Sequence, residues 1–177
     1  MSLENYFKKR DFKKTPEPKN TAKVNDKLVF VIHKHWASRL HYDLRLEYKG
    51  VLKSWAVPKG VSTNPEEKRL AIMVEDHPYS YKDFEGIIPE GNYGAGTVMI
   101  WDEGTYAPAG DKKNKKEEEE IIKKGLEEGR ISFFLYGKKL KGEFVLIRLK
   151  GRGENNWLFI KARDEYANSK MRSLCGV

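Results

Sequence analysis

Residues 40–48 constrain the fold more than any other stretch. The even positions, Leu40, Tyr42, Leu44, Leu46 and Tyr48, are apolar or aromatic, and the odd positions, His41, Asp43, Arg45 and Glu47, all ionise. Successive side chains of a strand point to opposite faces, so this stretch reads as a strand with one face on a core. The other face places His, Asp and Arg in one row. A strand face chosen only for solubility carries Lys, Thr, Glu or Ser, so this row points to chemistry.

Seven further strands are expected at residues 28–36, 51–57, 69–77, 97–101, 131–136, 143–150 and 157–163, with Gly, Pro and Asn between them. Short, regularly spaced strands predict a mainly β fold, an antiparallel barrel or sandwich. A length of 177 residues suggests one domain over 1–177. Residues 1–27 form an arm rich in Lys, Pro, Asn and Thr. Within it, residues 3–10 suit a short helix and the Pro-containing stretch 13–18 an extended chain. Composition alone makes the arm poorly ordered. In the core, residues 28–177, the run 112–128 is charge-dense and suits an amphipathic helix. A solvated surface helix is the default there, and a nucleic-acid arm the alternative.

The net charge of +8 favours anionic partners, nucleic acid first. The single cysteine, Cys175, excludes a disulfide framework or a Cys-based zinc site within one chain. The polar N-terminus lacks the apolar core of a signal peptide, and no apolar run approaches the roughly 20 residues of a membrane span. A cytoplasmic protein without membrane contact is expected.

If residues 37–39 form the loop of a hairpin, Trp36 faces Leu40 and His35 faces His41. Cross-strand partners have Cβ atoms about 4.5–5.5 Å apart, so His35 and His41 can share an ion, with Asp43 two residues along. Two imidazoles and a carboxylate suit Mn²⁺, Fe²⁺ or Zn²⁺ with positions left open. Arg45 is placed to fork onto a phosphate. The competing reading is a polar face with two incidental histidines. Residues 69–77 put Arg69, Glu75 and His77 on one parity, opposite Leu70, Ile72 and Val74. The glycine-rich run 86–96 matches no phosphate-loop spacing and reads as a structural loop.

Several stretches together resemble the 3′-phosphoesterase domain family of bacterial DNA ligase D and its stand-alone archaeal and bacterial homologues. They are Lys9-Arg10-Asp11-Phe12 with Thr15-Pro16-Glu17-Pro18; residues 35–47; Leu52-Lys53-Ser54-Trp55-Ala56-Val57-Pro58-Lys59-Gly60; Val74-Glu75-Asp76-His77-Pro78; and Phe84-Glu85-Gly86 through Tyr93-Gly94-Ala95-Gly96-Thr97. The resemblance implies a compact antiparallel β-barrel with few short helices and the N-terminal arm folded over the active site. It implies a Mn²⁺-dependent hydrolase, with Zn²⁺ or Co²⁺ as other candidate metals. That enzyme removes a 3′-terminal ribonucleoside and then the remaining 3′-phosphate, leaving a 3′-hydroxyl on DNA or RNA for repair by non-homologous end joining. Primer-template ends would be its substrates, and a separate DNA ligase would act in trans.

Carried over by motif, His35, His41 and Asp43 would hold the metal. Arg45, His77 and Tyr81 would contact the scissile phosphate. Lys59 and Arg69 would add charge around it. Arg10, Asp11 and Glu17, with Glu75, would complete the site. His33 stands outside the implied ligand set. The alternatives are a non-catalytic basic barrel that binds nucleic acid, and a nucleotidyl transferase with Lys59 or Lys161 as covalent lysine. Neither lysine lies in a Lys-x-Asp-Gly context.

Overall fold

Alternation along successive strands closes a sheet on itself. The computed structural model describes residues 3–19 and 23–168, so Cys175 lies outside the described residues. Strands β1 (Val29–Trp36), β2 (Leu40–Tyr48), β3 (Val51–Val57) and β4 (Arg69–Pro78) run as an antiparallel meander. β4 pairs with β9 (Asn156–Lys161), which continues through β8 (Lys141–Arg148) and β7 (Arg130–Gly137) to β6 (Gly96–Pro108). β6 pairs back onto β1 and closes an eight-stranded barrel. A short strand, β5 (Gly86–Ile88), is added to β6. Among the described residues there are two α-helices, α1 (Glu4–Lys8) and α2 (Lys115–Glu128).

The apolar parity of each strand fills the barrel. Leu44, Trp55, Phe133, Phe144 and Leu146 are fully buried there, and Trp157 meets Trp55 edge-on at 5.8 Å between ring centres. A second, smaller core lies outside the barrel wall. There Tyr6 of α1, Val31, Leu52, Tyr79 and Tyr81 pack together, so the N-terminal arm and the segment after β4 are clamped onto the outer face of β1 to β4. Lys49 and Gly50, both with positive φ (47° and 79°), make the tight β2–β3 turn. That conformation matches the right-handed twist of paired strands.

Several expectations need correction. β6 runs seven residues beyond the expected end at Trp101, and Gly86–Ile88 pairs as a strand rather than a loop. The apolar even positions of β4 are not its core face, since Leu70 is exposed and Val74 lines the outer wall, and a bulge follows them. Trp55 pairs with Met73 and Ser54 with Val74, but Leu52 pairs with His77, so β4 carries one extra residue. Ala71 and Met73 pack with the barrel interior, while His77 lands on the outer face opposite Leu52. Arg69 and His77 therefore do not share a face. α2 is not merely a solvated helix: Ile122 is buried in the main core and Leu126 packs against it. Asn114 caps its start by accepting from Glu117 N–H at 2.9 Å, and Arg148 donates to the carbonyls of Leu126 and Glu127 at its end.

Candidate active site

The β1–β2 hairpin forms in the expected register, His35 opposite His41 and His33 opposite Asp43. The two imidazole rings lie 4.7 Å apart. Nδ1 of His35 is 3.5 Å and Nε2 of His41 is 3.4 Å from the Asp43 carboxylate. One donor atom from each of the three residues falls within 4.8 Å of the others, so the trio can hold a metal ion.

The tautomers fit that role. The outer ring nitrogen of His35, Nε2, donates to the Gly94 carbonyl at 2.7 Å, and the outer nitrogen of His41, Nδ1, donates to the Arg39 carbonyl at 3.1 Å. A carbonyl only accepts, so in each ring it is the other nitrogen, Nδ1 of His35 and Nε2 of His41, that is turned toward Asp43. Metal-ligating histidines are oriented by such outer hydrogen bonds. Burial pushes the Asp43 carboxyl up, but Arg45 and the two imidazoles outweigh it and hold the group well below the ordinary carboxylate range. Asp43 is thus ionised and ready to ligate.

Arg45 is held from every side. Nη2 lies 3.4 Å from Asp43, Nη1 donates to Ser54 Oγ at 2.9 Å, and Nε donates to His33 Nδ1 at 3.1 Å. Its guanidinium sits 4.8 Å from the centre of the Tyr81 ring. His33 donates in turn to the Phe84 carbonyl at 3.0 Å. Burial and the adjacent Arg45 lower its pKa to about 3, so the ring is neutral and accepts from Arg45.

The arm supplies a second layer. Glu17, buried, accepts from Arg10 Nε at 3.1 Å, Tyr81 hydroxyl at 2.7 Å and Thr15 hydroxyl at 3.0 Å. Arg10 Nη1 also approaches Glu75 at 3.5 Å, and Nη2 lies 3.4 Å from His77 Nε2. His77 Nδ1 donates to the Glu75 carbonyl at 2.9 Å, so its Nε2 accepts from Arg10. Burial, then Arg45 and Arg10, hold His77 well below the ordinary imidazole range.

These groups line one cavity of about 290 Å³ on the outer barrel wall: His35, His41, Asp43, Arg45, His77, Tyr81, Arg10, Glu17 and Glu75. Three expected site residues lie outside its lining. Lys59 is exposed on the turn after β3. Arg69 pairs with Glu67 at the start of β4. Asp11 is exposed and accepts from the Lys13 N–H at 3.1 Å. Lys161 is buried and directs its ammonium at Glu143 O, Ala162 O and Asp164, a structural role away from the cavity. A larger concavity of about 1250 Å³ opens beside α2. Among the described residues, however, His35, His41 and Asp43 are the one convergent metal-type group, and they line the smaller cavity.

Sequence reasoning missed His33, Ser54 and Tyr93. His33 shares parity with His35 and faces Asp43 in the hairpin register, a signal that was available. Tyr93, 47% exposed at the cavity rim, had none, because its position depends on how the glycine-rich run folds.

The sequence also matches known proteins. Residues 33–148 match the family model described as the DNA ligase D 3′-phosphoesterase domain. The chain is 49% identical over 171 residues to the multifunctional non-homologous end joining protein LigD of Pseudomonas aeruginosa, covering 94% of this chain and 19% of that protein. It is 44% identical over 165 residues to LigD of Mycolicibacterium smegmatis (92% and 21% covered), and 43% identical to that of Mycobacterium tuberculosis (92% and 20%). The chain thus spans about a fifth of the length of these relatives. Among the described residues no helix is long and apolar enough to cross a membrane.

Proposed function

Because the chain belongs to the DNA ligase D 3′-phosphoesterase domain family, we propose that it is a Mn²⁺-dependent 3′-end-healing hydrolase acting on DNA or RNA ends. The observation that carries this reading is the convergence of His35, His41 and Asp43 within 4.8 Å beside a fully fixed arginine. In the first step water attacks phosphorus and the P–O5′ bond to the terminal ribonucleoside breaks, leaving a 3′-phosphate. In the second, water attacks again and inorganic phosphate departs, leaving a 3′-hydroxyl. Residues 1–177 work as one unit, in the cytoplasm, on primer-template ends that a separate ligase then seals.

A divalent cation held by His35, His41 and Asp43 supplies Lewis acidity toward a phosphoryl oxygen and toward water. The protein does the rest. Arg45 neutralises charge that develops on the phosphoryl oxygens, and it does so pre-oriented by His33, Ser54 and the Tyr81 ring. His77 is neutral, with its proton on the nitrogen that faces a backbone carbonyl, so it positions Arg10 rather than donating a proton. Arg10, ringed by Glu17, Glu75 and His77, anchors the arm as the cavity's second wall.

The test is a 5′-labelled primer-template ending in one 3′ ribonucleotide, incubated with and without Mn²⁺. Stepwise shortening to a 3′-phosphate and then a 3′-hydroxyl, lost in Asp43→Ala, is the expected result. Binding without cleavage under Mn²⁺, Zn²⁺ and Co²⁺ alike would leave a non-catalytic nucleic-acid-binding barrel.

A further inference from the structure

The tip of the β1–β2 hairpin has two faces with different chemistry. One face carries His35, Ala37 and His41 and lines the cavity. The other carries Trp36 and its cross-strand partner Leu40, which are 38% and 42% exposed, and Met99 at 41% lies across from Lys34 on the neighbouring strand. Lys34 Nζ sits 4.9 Å from the centre of the Trp36 ring. Residues 34–41 include Lys34 and Arg39 and no carboxylate. An exposed tryptophan amid cations is the composition that stacks nucleobases and steers a phosphate backbone.

Resting on the proposed phosphoesterase reading, we infer that this second face of the tip, which continues the barrel-filling parity of β1 and β2 out to exposed residues, is the docking platform for the complementary strand of the substrate duplex, with Trp36 stacking on the base opposite the processed 3′ end. The tip is the rim of the cavity, so a 3′ end lodged against His35 and His41 leaves its complementary strand on the tip's other side. Contiguity with the cavity and the cationic, carboxylate-free sequence favour nucleic acid over a second copy of the chain or a lipid surface. The platform makes the enzyme prefer duplex ends to single strands while leaving the hydrolytic groups untouched.

The experiment compares steady-state kinetics on one primer carrying a 3′-phosphate, annealed to a template or single-stranded. Trp36→Ala is expected to raise KM on the duplex about 5- to 150-fold, the range of one lost base stack, with kcat and the single-strand KM unchanged; Trp36→Phe restores the duplex KM. A second readout needs no catalysis. Trp55 and Trp157 are buried and Trp101 is half-buried, so a Trp36 fluorescence change on adding duplex without metal, absent in Trp36→Phe, reports the stack. Equal KM changes on both substrates, or a signal given by anionic vesicles or by raising protein concentration but not by duplex, would overturn the inference. Absence of phosphatase activity in the wild type would overturn the proposed function instead, and the fluorescence titration would still decide the platform.

Discussion

Tyr81→Phe removes one oxygen atom and should uncouple the arm from the barrel. The Tyr81 hydroxyl donates to Glu17 at 2.7 Å, and the ring stays beneath Arg45 whether or not the oxygen is present. Burial and the Glu17 charge raise the Tyr81 pKa well above the ordinary phenol value, so the hydroxyl keeps its proton to donate. After substitution Glu17 retains the bonds from Arg10 and Thr15. The loss is therefore one hydrogen bond to a charged acceptor, about 1.5–3 kcal/mol, and not the larger penalty of an unpaired buried charge. With a urea m-value near 2 kcal/mol/M, typical of small proteins, the midpoint falls by about 1 M. Trypsin cleavage at the exposed Lys13 and Lys14 should accelerate if the arm releases first. A double-mutant cycle with Glu17→Gln isolates the pair, and a coupling energy below about 0.5 kcal/mol would refute the assignment of Tyr81 as the arm's latch.

Other substitutions probe other parts of the argument. His77 has a folded pKa depressed below the unfolded value of about 6.5. The unfolded chain therefore binds the extra proton first: the stability is complete above about pH 6.5 and declines on acidification through that value. Each such group contributes a slope of up to about 1.4 kcal/mol per pH unit, and denaturant titrations from pH 7 to 5 should show His77→Gln with a shallower decline; an identical slope would contradict its burial as a neutral ring. Gly96→Ala would place a Cβ 1.9 Å from the Trp36 carbonyl oxygen at φ +136°. It should cost about 2–5 kcal/mol and weaken Mn²⁺ binding at least 10-fold by displacing the hairpin tip, as read by calorimetry. Asp102 accepts from the backbone N–H groups of Lys138, Lys139 and Leu140 at the β7–β8 turn. Asp102→Asn aims an amide at some of these donors, so melting should show a loss of about 2–4 kcal/mol with cavity chemistry unchanged.

The parts of the fold legible in sequence are those specified by local period. β2 and its register against β1 could be placed to the residue, because a three-residue loop and strict alternation leave one register. The tail of β6 could not. Asp102 interrupts its apolar pattern because its carboxylate serves the β7–β8 turn, and Gly104 is required where a Cβ would meet the Tyr136 carbonyl oxygen at 2.1 Å. The β4 bulge was equally invisible, since an inserted residue appears only against a partner strand. The metal-type trio was legible because all three members sit on one hairpin. The burial of Glu17 was not: its partners are Arg10 on the same arm and Tyr81 sixty-four residues away, and composition marked the arm as loose.

The placement of the cavity on the outer wall has a consequence for quality control in the cell. The residues that fill the barrel and the residues that line the cavity alternate one by one along β2, and His35 on β1 shares the cavity's side. A slip of one position would exchange the two sets, driving His35, Asp43 and Arg45 into the oily interior and Leu44 into solvent. Such a molecule could not persist folded. A register error of this kind is thus lost to unfolding instead of surviving as a well-packed population with its metal-type trio buried, so the core that holds the barrel together also fixes the side on which the trio stands.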